Sequence, residues 1–217
     1  MDLSARWTAF AASIGAGRDA AVAVFADLER RHGDPGRHYH TLAHVADCLV
    51  ELDSAPTLCD RTDAVELALW FHDAVYDPRA ADNEARSAAL LREAGSRLGL
   101  DPALAARAEA LVTATAHLAG GGILPDDATP GPSRRDREAI RDIDLAILGA
   151  PRDRFDAYET AVRREYAYLP DPEWRSGRSR VLRMFLDMPR IYLTDPFHDR
   201  RETPARRNLA DALARLA

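Results

Sequence analysis

The sequence contains no lysine; all 29 formally positive side chains among its 217 residues are arginines. A Walker-A phosphate loop needs its lysine, and Schiff-base or pyridoxal chemistry needs a lysine amine, so both classes are excluded. Cysteine is almost as scarce. Cys48 and Cys59 make neither a disulfide framework nor a zinc pattern, and each lies in or near an apolar helical stretch, as a buried or idle thiol would. Long apolar runs are missing too. The N-terminal stretch MDLSARWTAFAASIGAG has Asp2, Arg6 and Trp7 but no apolar h-region, so it does not read as a signal peptide. No stretch is long and apolar enough to span a bilayer. The expectation is a cytoplasmic protein with no membrane partner. The net charge of −6 also argues against an extended nucleic-acid partner, which needs clustered positive charge. A small phosphorylated ligand in a local arginine pocket stays compatible with it.

What is present is mainly helical period. Hydrophobic residues make up 47% and charged residues 29%, as in an ordinary globular protein. The length suits a single domain over residues 1–217, with a core over about 37–150 and a helical extension over about 151–217. ARWTAFAASIG and DAAVAVFADLERRHG read as amphipathic helices, the second ending near Gly33 and Pro35. Thr41 is placed to cap a helix beginning LAHVADCLVELDSA. The next runs through DAVELALWFHDAVY and breaks at Asp77-Pro78, because the residue before a proline disfavours helix. NEARSAALLREAGSRLG ends on Gly99, and Asp101-Pro102 opens ALAARAEALVTATAH. AGGGILPDDATPGPSRRD is the clearest loop, either a flap beside a site or an exposed variable segment. REAIRDIDLAILGA, RFDAYETAVRREYAYL, PEWRSGRSRVLRMFLDM and RRETPARRNLADALARLA continue the helical pattern. No segment alternates as a strand does, and there is neither a repeat nor a coiled-coil heptad. The fold class predicted is all-α.

Chemistry concentrates at the adjacent pair His72-Asp73 in ALWFHDAVYD. Neighbours on a helix point about 100° apart, so both reach one ion only at a helix edge facing a cavity. Leu67, Leu69, Trp70 and Phe71 would bury this helix, and a buried aspartate is costly unless paired or metal-bound. Alone, the dipeptide carries little. His44 on an upstream apolar helix and an aspartate in DIDLAILGA downstream give it weight, since imidazole with carboxylate suits Mn, Fe, Co, Ni or Zn. Taken singly, His44 would read as a satisfied core histidine.

The order H…HD…D on successive helices resembles the HD superfamily of metal-dependent phosphohydrolases. The strings RHYHTLAHV, WFHDAVYD, DNEARSA, DIDLAILGA, VRREYAYL and GRSRVL are similar to a bacterial branch described as predicted HD-superfamily phosphohydrolases, over residues 37 to 210. The resemblance implies an HD-type helical bundle with a central divalent ion (Mn, Co, Ni, Fe, Zn or Mg). It also implies His44, His72, Asp73 and Asp144 as ligands. Asp142, two residues earlier in the same string, is the alternative to Asp144. Asp77, and after it Glu84, are the acidic candidates for moving a proton. Arg37, His40 and His117 are candidate phosphate contacts, with Arg163 and Arg178 behind them. His40 shares a face with His44 if that segment is helical.

The implied activity is hydrolysis of a phosphate ester or anhydride in a nucleotide or other small phosphorylated metabolite. The alternative is a regulatory module that binds metal and nucleotide without turnover, or a different metal-dependent chemistry such as oxygenation. A homodimer is compatible with the apolar C-terminal helix faces. Bland readings stand beside several residues: a structural ion pair for Arg163 and Glu165, core packing for Tyr39 and Tyr76, and surface positions for His32, His38 and His198.

Overall fold

A computed structural model describes residues 1–55, 57–116 and 131–216. His117, and the expected loop as far as Pro130, lie outside the described residues. Among those described there are ten α-helices, one 3-10 helix and no strand, so the chain is all-α as its pattern predicted. The helices are α1 (Leu3–Ser13), α2 (Arg18–His32), α3 (Leu42–Ser54), α4 (Thr62–Phe71), α5 (Asn83–Leu98), α6 (Pro102–Ala114), α7 (Arg134–Asp144), α8 (Arg152–Glu165), α9 (Asp171–Asp187) and α10 (Asp195–Leu216). The 3-10 helix, Leu145–Gly149, follows α7. No described helix is long and apolar enough to cross a membrane.

The local signals act where the sequence placed them. Thr41 caps α3, its hydroxyl accepting from Ala43 N at 3.3 Å. Asp101 accepts from Ala103 N at 2.7 Å, with Pro102 just inside α6. Gly99 ends α5 at φ 68°, a conformation that costs a Cβ-bearing residue and not glycine.

The chain divides into two compact units, Met1–Ile140 and Arg141–Ala217. In the first, α4 is the central helix and packs on α3, α5 and α6. Every residue from Ala64 to Phe71 is buried, so α4 has no polar face. Its one carboxylate there, Glu66, accepts from Arg6 Nε and Nη2, both at 2.9 Å, and Arg6 also pairs with Asp53. Trp7 from α1 stands edge-on to Trp70 at 5.3 Å and donates its indole N–H to Ala21 O at 2.8 Å. That closes the core over α1, α2 and α4.

In the second unit the 3-10 helix packs on α8 and α10, and α9 packs on α10. Polar side chains satisfy the carbonyls that a short 3-10 turn leaves free. Asn208 donates to Leu148 O and Ala150 O, each at 2.9 Å, and Tyr192 donates to Leu145 O at 2.9 Å. Glu202 receives the N–H groups of Ile191 and Tyr192 at 3.0 and 3.2 Å. Burial opposes its charge, yet these bonds and Arg206 hold its pKa below the usual carboxylate value.

Candidate metal centre

The expectation that helix continues to Tyr76 is corrected by the structure. α4 stops at Phe71; His72 is its C-cap, and a turn follows in which Ala74 N donates to Phe71 O at 2.9 Å. This ending lets two adjacent residues serve one point, since the 100° rule of a continuing helix no longer applies after His72. Asp77 therefore lies beyond α4 and does not continue its turns. It lies in the connection to α5, where its N–H donates to Asn83 Oδ1 at 3.0 Å and its Oδ1 accepts from Arg79 N at 2.9 Å. Glu84 lies half-buried in the first turn of α5.

His44 comes from the first turn of α3, with His72 and Asp73 from the end of α4. His72 Nε2 and His44 Nε2 are 3.1 Å apart. Asp73 Oδ2 lies 3.1 Å from His72 Nε2 and 3.7 Å from His44 Nε2. His44 is 4% exposed and His72 1%. His72 Nδ1 is 2.8 Å from Leu69 O, which only accepts, so that nitrogen carries a proton and Nε2 faces the cluster. Two nitrogens and a carboxylate oxygen at these separations are a donor set for a borderline divalent cation. The residues present fit the ion that the resemblance implies.

Cys48 is a free, buried thiol, as its apolar helical setting predicted. It stands one turn after His44 on the same face of α3, with Sγ 3.8 Å from His44 Nε2. His44, Cys48 and His72 each offer a donor atom within 4.8 Å of the others. The available signal was the four-residue interval from His44 to Cys48, which carries little without a known partner helix.

The aspartate alternatives separate inside the second unit. Asp142 is fully buried and accepts from Leu193 N at 2.8 Å, Thr194 N at 2.7 Å and Thr194 Oγ1 at 2.6 Å. Burial pushes its pKa up to about 6 against the pull of these bonds. Its oxygens hold the connection between α9 and α10. Asp144 ends α7, half-buried.

Arg37 is buried, and its guanidinium donates to the carbonyls of His40, Asp73 and Ala74. It also lies over the Tyr76 ring at 5.5 Å. The arginine expected to meet phosphate thus braces the two segments that carry the cluster. The segment around His40 is not helical, yet its ring is 6.2 Å from that of His44 and stacks on Tyr76 at 4.1 Å. Tyr39 lies 4.7 Å from His44, which makes an aromatic border of Tyr39, His40 and Tyr76. In the second unit Arg163 pairs with Asp171 at 2.7 Å, and Arg178 pairs with Glu159 and Tyr158. His32, expected at the surface, is 2% exposed. Its Nδ1 is 2.9 Å from Leu28 O, and burial pulls its pKa down to about 4.

Comparisons with protein-family models, curated proteins and solved structures gave no match.

Proposed function

We propose that this chain is a metal-dependent phosphohydrolase of the HD type, acting on a nucleotide or another small phosphorylated metabolite. The observation that carries the reading is the convergence of His44 Nε2, His72 Nε2 and Asp73 Oδ2 where α4 ends. A divalent ion held by such donors lowers the pKa of water towards neutrality and neutralises charge on phosphoryl oxygens. The chain's own part is to hold the donors in place. Leu69 O orients the His72 ring, and Arg37 anchors the consecutive carbonyls of Asp73 and Ala74 in the turn. His40 and Tyr76 border the site as substrate contacts. Asp77 and Glu84 are the acidic groups assigned to proton movement. Asp144 keeps the ligand role that the resemblance implies, and the metal content of Asp144→Ala tests it.

One observation favours a second reading, a metal- and nucleotide-binding module without turnover. Cys48 brings sulfur to a cluster that already holds two imidazoles, and a centre closed by protein donors leaves no position for a reacting group.

The deciding experiment measures phosphate release from nucleotides and sugar phosphates with added Mn²⁺, Co²⁺, Ni²⁺ or Mg²⁺, with metal content determined alongside. Turnover that is lost in Asp73→Ala supports the enzyme. Bound metal with no turnover favours the binding module. A protein that takes up no metal overturns both readings.

A further inference from the structure

Four arginines are buried among the described residues: Arg37, Arg137, Arg141 and Arg178. Three have oxygen partners. Arg37 donates to three carbonyls, Arg137 to Pro132 O, and Arg178 to Glu159 and Tyr158. Arg141 is the exception and, at 3% exposed, the most enclosed. Its Nη2 lies 3.4 Å from Met188 Sδ, a weak acceptor, and its Nε is buried without a hydrogen-bond partner. Among the described residues it has no oxygen acceptor and no ion pair.

A guanidinium has five N–H donors and stays charged in any protein interior. Burying it unpaired is among the most costly placements a side chain can take. Burial accordingly lowers its pKa, with Asp142 offering some opposing support. Its position in the last turn of α7 gives a favourable dipole interaction, but the chain runs on into the 3-10 helix, and that interaction is small beside the desolvation. A buried guanidinium whose one bond among the described residues is to a sulfur is suited to a planar or tetrahedral oxyanion, which takes two of its N–H groups at once. Arg141 also precedes Asp144 by three residues, so both leave the same side of α7.

We propose that Arg141 is an oxyanion-binding residue whose ligand is a phosphoryl group. That this group belongs to a substrate rests on the phosphohydrolase reading; the binding of a phosphate does not.

The test is thermal unfolding of the full chain while inorganic phosphate is titrated, repeated with adenosine monophosphate. The intact protein is expected to gain stability with phosphate, as any ligand that binds only the folded state confers. Arg141→Met places an apolar side chain of similar reach beside Met188, and its response to phosphate should fall at least tenfold. Arg141→Lys, which keeps a charge but loses the fork, should retain a weakened response. A merely structural arginine would lower the melting temperature when replaced and leave the phosphate response intact. Tighter binding of the nucleotide than of inorganic phosphate identifies an esterified phosphate as the ligand; equal binding identifies the free oxyanion. An intact protein that does not respond to phosphate, or an Arg141→Met protein that responds like the original, overturns the proposal. Phosphate release assayed on Asp73→Ala bears on hydrolysis alone, so the two readings fail separately.

Discussion

His72 Nδ1 sits 2.8 Å from the carbonyl oxygen of Leu69, three residues back along the same turn. Its other ring nitrogen, Nε2, lies 3.1 Å from His44 Nε2 and 3.1 Å from Asp73 Oδ2. Electron pairs at these distances repel unless a proton or a cation lies between them. Asp73→Ala and His72→Ala should therefore each lower metal occupancy by at least about tenfold, since even outer partners of ligands cost that much. Elemental analysis after dialysis against limiting metal checks this, and occupancy equal to the intact protein's would sink the assignment.

Arg37 ties the segment before α3 to the turn after α4 through three carbonyls. Arg37→Ala leaves buried acceptors without donors, for a stability loss of roughly 2–4 kcal/mol. Metal affinity should fall with it, since both donor segments lose their common brace. Arg37→Lys, a point charge without the fork, should recover little of either. Denaturant unfolding and metal titration on the same samples measure both quantities.

Cobalt substitution should report on Cys48. If the thiol joins the centre, the Co²⁺ protein gains a thiolate-to-metal charge-transfer band in the near ultraviolet. That band should vanish in Cys48→Ser and survive in Cys59→Ser. Cobalt bound with no such band leaves Cys48 as packing beside His44 and removes the main support for the closed, non-catalytic centre.

Gly149 closes the 3-10 helix against α10. A Cβ built there would lie 2.6 Å from Arg201 Cβ and 2.7 Å from Arg201 O, closer than real contacts allow. Gly149→Ala should destabilise by about 1–3 kcal/mol through overpacking. That corresponds to a fall in melting temperature of roughly 2–4 °C per kcal/mol for a chain of this size. An unchanged melting temperature would show that the α10 backbone yields without cost.

Acid sensitivity should trace in part to His32, whose folded pKa of about 4 lies below its unfolded value of 6.5. The unfolded chain binds the extra proton between those values, so folding stability rises with pH across the window. His32 contributes its full share above pH 6.5 and loses it as pH falls towards 4, an effect of about 3 kcal/mol at most. His32→Phe should flatten that part of the stability–pH curve. A curve of unchanged slope would place the acid sensitivity elsewhere.

Periodicity and capping alone determined the all-helical class and most helix ends, because those signals act within a few residues. Thr41, Gly99 and Asp101-Pro102 do in the fold what their local chemistry requires. The aspartate spacing around residue 142 could not say which carboxylate was spent internally. Only the segment Leu193–Thr194, some fifty residues away, settles that for Asp142. Arg37 looked like a phosphate contact because its charge is visible in the sequence and its three carbonyl acceptors are not. The burial of His32 was hidden for the same reason. Whether a side chain is buried, and beside what, depends on which helices pack together. The end of α4 at His72 was equally hidden, since apolar residues continue through Ala74 and Val75. Arg37 holds the carbonyls of Asp73 and Ala74 there, and Ser87 from α5 holds the backbone of Val75. Local propensity chose the helices, while tertiary hydrogen bonds at their ends brought His44, His72 and Asp73 to one point.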